Sequence, residues 1–331
     1  MASDSKRRIR SISYAKYGYM FILPFFLVYA FFQLYPLFNT FFLSTQSNGT
    51  VDTVSVGLDN FKALLFTNEG NRAWSAVHKQ FVQALGNTII LWVGNFIPQI
   101  IISLVLAAWF TDSNLKIKGK GFFKVVMYMP NIITAASVAA LFVTLFSDTQ
   151  FGAVNRLLLN WGVIDSPILF VSDRTASRVM VMFIQTWMWF GNTMIMLTSG
   201  IMGINPSLFE AANIDGANST QVFFRITLPL LRPILLYTVV TSMIGGLQMY
   251  DIPALYRNGT NDNTNIRTIA VYIYGAFHQT PPNYGYSGAA SVILFFITTI
   301  LGAICFAFNR DKDAKKYKKS RASLKNKLGG I

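Results

Sequence analysis

The sequence predicts an all-α membrane protein with six transmembrane helices, and its composition is the first reason. Of the 331 residues, 53% are hydrophobic and only 13% are charged, whereas an ordinary soluble domain carries about 25% charged residues. The apolar residues also form long continuous blocks, which favour helices over the alternating pattern of membrane strands. Finally, the Lys and Arg residues gather beside these blocks, as they do at the cytoplasmic ends of membrane spans.

Six apolar segments reach the length of about 20 residues that a helix needs to cross the hydrocarbon core. They cover about residues 18–43, 84–110, 122–146, 176–200, 233–255 and 287–308. Together they define a membrane domain over residues 18–308, with a cytoplasmic loop at 205–232. Prolines inside the first three spans are tolerated where neighbouring helices or water satisfy the freed carbonyls.

The distribution of basic residues orients the chain. With residues 1–17 placed in the cytoplasm, 20 of the 28 Lys and Arg residues fall on the inner side and 8 fall on the outer side. This asymmetry supports six crossings and cytoplasmic termini. The apolar run after the basic N-terminus is too long for a cleaved signal peptide and is interpreted as a retained first span. The Lys-rich tail, 309–331, is expected to lie on anionic lipid headgroups.

The net charge of +14 does not indicate nucleic acid as a partner, because the basic residues serve as topology signals. The sequence lacks a Gly-x-x-x-x-Gly-Lys-Ser/Thr phosphate loop, so the chain is not expected to hydrolyse ATP by itself. The two histidines, His78 and His278, fall in different outer loops, so no metal site is predicted. Short helices are expected in the outer loops near residues 59–66 and 151–161.

The loop between the fourth and fifth spans has the pattern of two short helices. Pro206 suits a first helical turn, and Glu210, Ala211 and Ala212 favour helix. Gly216 permits the left-handed backbone that ends a helix. Pro229 lies at the entry to the next span. An Ala-rich helix of this kind offers a surface that another protein can approach closely.

This loop resembles the "EAA" loop of the membrane subunits of ABC importers. That pattern is Glu-Ala-Ala, three residues, Gly, nine residues and Ile-x-Leu-Pro, and the chain matches all of it at Glu210, Ala211, Ala212, Gly216, Ile226, Leu228 and Pro229. Asp215, directly before the glycine, is grouped with them. The resemblance implies the type I importer permease architecture and a coupling helix that docks into a cleft of an ATP-binding subunit.

Other segments are similar to the MalF-type sugar permeases, in the binding-protein-dependent transport system inner membrane component family. They are residues 21–24, 35–36, 272–274 and 285–291. Residues 257–262 depart from the Gly-Gly-Pro turn of many relatives, which leaves the outer gate and the substrate open. The resemblance implies a prokaryotic cell-membrane protein that forms half of a pathway for a sugar, an oligosaccharide.

The implied partners are a second, MalG-like permease subunit, two copies of an ATP-binding subunit and an extracytoplasmic solute-binding protein. ATP and Mg would bind to the ATPase subunits, and no cofactor is expected on this chain. Glu210 would contact a basic residue of the ATPase, and Gly216 would set the turn between the two halves of the loop.

Polar and aromatic residues inside the spans are candidates for lining the substrate path. The selected set is Trp189, Asn192, Gln248, Tyr250 and Asp251. Asn87, Asn95, Gln99 and Thr193 are further polar span residues. The alternative is that such amides and hydroxyls hold the helices together and that the aromatic rings lie at the membrane interface.

An ion-coupled secondary carrier is the alternative function. It predicts carboxylates within the membrane, and the six segments contain one, Asp251, near the end of the fifth.

Overall fold

The computed structural model describes residues 15–47, 54–68, 70–112, 115, 117–257 and 263–308. The C-terminal tail and most of the N-terminal tail therefore lie outside the described residues. Regular structure in the described ranges is helical, apart from one isolated antiparallel bridge between Gln46 and Ser55. The helices of the first half are α1 (Ala15–Tyr29), α2 (Tyr35–Leu43), α3 (Asp59–Leu65), α4 (Arg72–Thr111), α5 (Lys120–Tyr128), α6 (Ala135–Leu145) and α7 (Ala153–Asn160). Those of the second half are α8 (Arg174–Met202), α9 (Pro206–Ile214), α10 (Ser219–Val222), α11 (Leu228–Leu230), α12 (Arg232–Leu247), α13 (Asp251–Leu255), α14 (Ile269–His278) and α15 (Tyr284–Phe308).

Five helical stretches of the described chain are long and apolar enough to cross a membrane, and there are six when a helix pair bent by 90° is counted as one broken span. The five are Tyr17–Leu43, Arg72–Thr111, Arg174–Met202, Arg232–Leu255 and Tyr284–Ala307. The pair is Lys120–Ile132 with Ala135–Leu145. These stretches confirm the all-α membrane fold class. The two short helices predicted in the outer loops are α3 and α7.

The first span contains a π-helical turn, Ala30–Leu34, between α1 and α2. Tyr35 donates its backbone N–H to the Ala30 carbonyl, five residues back. Pro36 follows, and it has no N–H with which to continue the ordinary helical ladder. The wider turn next to Pro36 lets the chain stay helical through the proline.

The second span is longer than the sequence predicts. α4 contains 40 residues, a length of about 60 Å, twice the hydrocarbon thickness of about 30 Å. It begins at Arg72 because the side chain of Asn71 accepts hydrogen bonds from the backbone N–H groups of Ala73 and Trp74. Residues 72–83 are too polar to be predicted as part of a span from hydropathy, although they form the first turns of α4.

The third span is not the continuous helix expected over 122–146, and this prediction is corrected. α5 and α6 form an angle of 90°, with a 3-10 turn, Met129–Ile132, after α5. Pro130 lacks the N–H that a continuous helix would need. Thr134 then caps α6 by accepting a hydrogen bond from the Ser137 N–H at 3.3 Å.

The fifth span, expected as one helix over 233–255, is interrupted at residues 248–250, which is a second correction. Pro253 cannot donate to the carbonyl of Met249, four residues earlier, as a continuous helix would require. That carbonyl instead accepts a hydrogen bond of 2.6 Å from the Thr268 hydroxyl, which is fully buried. The loop before α14 therefore supplies the partner that Pro253 cannot.

α4 and α8 are the central pair of the bundle, and hydrogen bonds between buried polar groups join them. The Gln99 amide donates to the Thr193 hydroxyl at 2.8 Å, and the Ser103 hydroxyl donates to the Phe190 carbonyl at 2.8 Å. Bonds of this kind hold membrane helices together.

α8 begins after Asp173, whose carboxylate accepts hydrogen bonds from the N–H groups of Ala176 and Thr175. These bonds, the one from Ala176 foremost, lower the pKa of the Asp173 carboxyl.

The C-terminal span and the first span meet at their outer ends. A Cβ added at Gly288 would lie 2.9 Å from the backbone nitrogen of Ser44, so the absence of a side chain permits this approach. The ring of Phe41 packs edge-on against those of Phe295 and Phe296. By contrast, residues 17–34 contain no buried residue, so this part of the first span is not buried by the other described residues.

Candidate functional site

The loop between the fourth and fifth spans folds into two short helices joined by a tight turn, as predicted. α9 starts at Pro206, and the side chain of Asn205 caps it by accepting a hydrogen bond from the Ser207 N–H at 3.1 Å. α10 is capped by Asn218, whose side chain and that of Gln221 each accept from the other's backbone N–H, at 2.8 and 3.0 Å. Such reciprocal capping satisfies two N–H groups at once. Both helices are therefore fixed locally although they are short.

Gly216 makes the turn between the two helices, with φ at +76°. Its N–H donates to the Asn213 carbonyl at 3.1 Å, and the N–H of Ala217 donates to the Ala212 carbonyl at 2.9 Å. This pair of bonds is the Schellman motif, which favours glycine because an L side chain is strained at positive φ. The turn therefore sets the angle at which α9 leaves the rest of the loop.

The matched residues divide into an exposed and a half-buried group. Glu210, Ala211, Asp215, Gly216 and Pro229 are exposed, whereas Ile226 and Leu228 are half-buried. Ala212 is 8% exposed and is the member of the motif that packs inward. α9 thus exposes a face with an acidic group and small side chains.

Two apolar residues of this region are not predicted by the sequence pattern. Ile214, the last residue of α9, is 86% exposed. Leu231 is fully buried and packs with Leu197, Ile201 and Ala107 at the inner ends of α8 and α4. The motif stops two residues before Leu231, so its spacing gives no signal for this anchor.

A groove of about 740 Å³ lies between α9 and the rest of the bundle. One wall is the inner end of α4, and the other is α9 with α10 and the π-helical turn Phe223–Thr227. Phe209, Glu210 and Asn213 line it from α9, and Trp109 and Asp112 line it from the end of α4. α9 is therefore separated from α4 along this groove, and Ala212 is its buried, inward-packed residue.

The substrate-path candidates fall into two groups. Trp189 and Asn192 are both exposed, with Trp189 at 46%, and their spacing of three residues puts them on one face of α8. Gln248, Tyr250 and Asp251 are brought together by the break between α12 and α13. Gln248 and Asp251 are exposed there, and Tyr250 is half-buried.

Asn87, Gln99 and Thr193 join separate segments, as the alternative interpretation proposed, whereas the Asn95 amide bonds within α4. Asn87 donates to the carbonyls of Thr264 and Arg267, both at 3.0 Å, and accepts from the Arg178 guanidinium. Asn95 donates to the Leu91 carbonyl at 3.0 Å, and Gln99 pairs with Thr193. All of these amides are buried, so they are not available to a substrate in this conformation.

Known proteins share both the sequence pattern and the fold of this chain. Residues 73–312 match the family model for the binding-protein-dependent transport system inner membrane component. Among curated proteins, the chain is similar to the lactose transport system permease protein LacF of Rhizobium radiobacter, with 30% identity over 94% of the chain and 100% of the relative. It is also 28% identical to the arabinooligosaccharides transport system permease protein AraP of Bacillus subtilis (strain 168), over 89% of the chain and 90% of the relative.

A solved structure shares the fold. It belongs to a bacterial ABC transporter involved in the import of the acidic polysaccharide alginate, and the match covers 89% of this chain and 95% of the other with a TM-score of 0.74 and 24% identity. The apolar stretches and the capped loop are both consistent with the family that the matching model describes. The chain belongs to the binding-protein-dependent transport system inner membrane component family.

Proposed function

We propose that this chain is the membrane-spanning permease subunit of an ATP-driven importer and forms half of the pathway for an oligosaccharide. The observation that carries the proposal is the cytoplasmic loop, in which a rigid Schellman turn holds an exposed Glu210 and an exposed Ile214 at the surface of the bundle. The relatives named for lactose and arabinooligosaccharide transport support a sugar as the substrate.

The proposed assembly contains a second, MalG-like permease, two ATP-binding subunits and an extracytoplasmic binding protein. A similar fold occurs in a bacterial alginate ABC transporter solved in complex with an alginate pentasaccharide-bound periplasmic protein. This similarity supports delivery of the substrate by a binding protein. ATP and Mg would bind to the ATPase subunits. Chemistry on this chain is not required, because its task is to change shape when the ATPase pair closes.

The proposed mechanism runs through α9. Closure of the ATPase pair moves α9, and Leu231 passes this movement to the inner ends of α8 and α4, where it is buried. Glu210 would pair with a basic residue of the ATPase, and Ile214 would fill an apolar depression beside it. Buried aliphatic groups and paired charges together give a contact both affinity and orientation.

The test is uptake by cells that carry the complete transporter. Glu210→Lys replaces an attractive charge with a repulsive one, and we expect at least a tenfold loss of uptake because like charges at an interface cost several kcal/mol. Glu210→Asp keeps the charge and serves as the matched control, with uptake nearer to that of the wild type. Immunoblots of membranes verify equal amounts. Normal uptake by Glu210→Lys would show that α9 is not the coupling element.

An ion-coupled carrier remains the second candidate, because Asp251 is exposed at the break in the fifth span. The two mechanisms differ in their energy source. Under the proposed function, uptake stops when the ATPase subunit is deleted and persists for as long as ATP is maintained after the proton gradient is collapsed. The opposite pattern would establish the carrier.

A further inference from the structure

Five aromatic rings form a continuous row at the outer side of the membrane domain. They are Tyr250, Tyr274, His278, Phe277 and Tyr284, and we name this row the aromatic ridge. Successive ring centroids are 5.1 Å apart from Tyr250 to Tyr274, 3.9 Å to His278, 5.0 Å to Phe277 and 5.2 Å to Tyr284. The ridge therefore begins at the break in the fifth span and ends at the first residue of the sixth.

α14 carries the central three rings on the side that is not used for packing. Its buried residues are Ile269, Tyr272 and Ala276, and the ring of Tyr272 packs against Phe81 of α4. Tyr274 is 48% exposed and Phe277 is 43% exposed, and His278 is exposed as well. The ridge is therefore a surface feature of a helix that is already anchored through its other face.

The position of the ridge is fixed at both ends. The Thr268 hydroxyl ties the start of α14 to the Met249 carbonyl, next to Tyr250. At the far end, the Asn283 N–H donates to the Ala276 carbonyl at 2.9 Å, which holds Tyr284 beside Phe277. A surface that is ordered in advance binds with less loss of conformational entropy.

Hydrogen-bonding groups lie near Tyr250 in the chain. Gln248 and Asp251 are exposed on either side of it in sequence, and Arg257 is exposed just after α13. Ligand sites combine apolar and aromatic surface with a few polar groups that fix orientation. Sugars match such a combination, because one face of a sugar ring presents C–H groups and its edge presents hydroxyls.

We infer that the aromatic ridge is a binding surface for a neutral oligosaccharide, on which several sugar units stack between Tyr284 and Tyr250 before they enter the membrane path. This inference rests on the proposed function and adds α14, which lies between the fifth and sixth spans, to the substrate path. Because the ridge contains five rings in succession, chains of several units make more contacts with it than a disaccharide does. The carboxylate of Asp251 favours neutral sugars over uronic acids at the inner end.

The experiment compares two substrates in the same strain, so that the amount of transporter cancels from the ratio of the two uptake rates. Cells with the complete transporter are given maltose and maltopentaose, or arabinobiose and arabinopentaose, and the ratio of the initial uptake rates of pentasaccharide to disaccharide is measured. For Tyr274→Leu we expect this ratio to fall about three- to tenfold, the size of one lost aromatic contact. Tyr274→Phe keeps the ring and should retain the wild-type ratio.

Leucine is chosen at position 274 because it removes the aromatic ring and keeps the side chain apolar. If the ridge merely anchors the protein at the lipid interface or packs against a partner subunit, Tyr274→Leu leaves the ratio unchanged, and this result overturns the inference. The inference also fails if Tyr274→Phe lowers the ratio as much as Tyr274→Leu. Phe38→Leu is the matched control, since Phe38 is 68% exposed near the outer end of the first span and lies outside the ridge.

Failure of the proposed function gives a different result. If the wild type imports neither neutral series but does import an alginate pentasaccharide or glycerol 3-phosphate, the substrate class is wrong and the inference is overturned with it. If the wild type imports a neutral series and Tyr274→Leu keeps the wild-type ratio, only the ridge is overturned.

Discussion

At the scale of single residues, Gly216 sets the turn between α9 and α10 through its backbone conformation and not through packing. A Cβ at this position would meet no atom within 4 Å, but the backbone has φ at +76°. An L residue in this region costs about 1–2 kcal/mol, whereas Asn tolerates it better than other residues. We therefore predict that Gly216→Val lowers uptake severalfold and that Gly216→Asn stays near wild type. Uptake per amount of protein in the membrane measures both. Equal uptake by the two variants would mean that the turn can open without loss of coupling.

The neighbouring glycines Gly245 and Gly246 give a matched pair for packing. A Cβ at Gly246 would lie 2.0 Å from Cδ1 of Trp92, while one at Gly245 would meet open space. The Trp92 ring cannot move freely, since its N–H donates to the Ser242 hydroxyl at 3.2 Å. Overpacking of this kind costs about 1–3 kcal/mol. We predict a lower thermal midpoint in detergent for Gly246→Ala and an unchanged or slightly higher one for Gly245→Ala. A midpoint for Gly246→Ala equal to that of the wild type would contradict the contact.

At the scale of elements, the two broken spans show where sequence reasoning reaches its limit. Pro130 and Pro253 are visible in the sequence, and a kink or break near each could be expected. The angle of 90° between α5 and α6 and the hydrogen bond from Thr268 to the Met249 carbonyl depend on residues far away in the chain. The turn at Gly216 is predictable because the residues that form it are neighbours in the sequence. The burial of Leu231 is not, because it depends on the packing of separate helices.

Thr268 is predicted to stabilise the break in the fifth span. Thr268→Val removes the hydroxyl and leaves the Met249 carbonyl without this donor in a buried position, which costs about 1–3 kcal/mol. Thr268→Ser keeps the hydroxyl and is the control. We expect a lower thermal midpoint for Thr268→Val than for Thr268→Ser, measured on the purified chain in detergent. If the two variants melt together, the hydroxyl is not what holds the break.

At the scale of the whole molecule, composition and charge identified the membrane class and the six apolar stretches, because hydrophobic length is a property of the sequence alone. The role of individual polar residues could not be read in the same way. Asn87, Asn95 and Gln99 have the same chemistry as Asn192 and Gln248, yet the first three are buried in hydrogen bonds and the last two are exposed. The rotation of α8, which is set by packing, exposes Asn192, and the break after α12 exposes Gln248.

The orientation of the molecule is the last prediction, and the single cysteine makes it simple to test. Cys305→Ser supplies a background without cysteine, and Trp161→Cys and Ile214→Cys then introduce one thiol each at residues that are 71% and 86% exposed. Trp161 follows α7 in an outer loop, and Ile214 ends α9 in the cytoplasm, if the excess of basic residues marks the inner side. A maleimide that cannot cross the membrane should label Trp161→Cys in intact cells and should label Ile214→Cys only after the cells are opened. The reverse pattern would invert the topology, and it would place α9 out of reach of any cytoplasmic ATPase, because the loop and the ATP would then lie on opposite sides of the membrane.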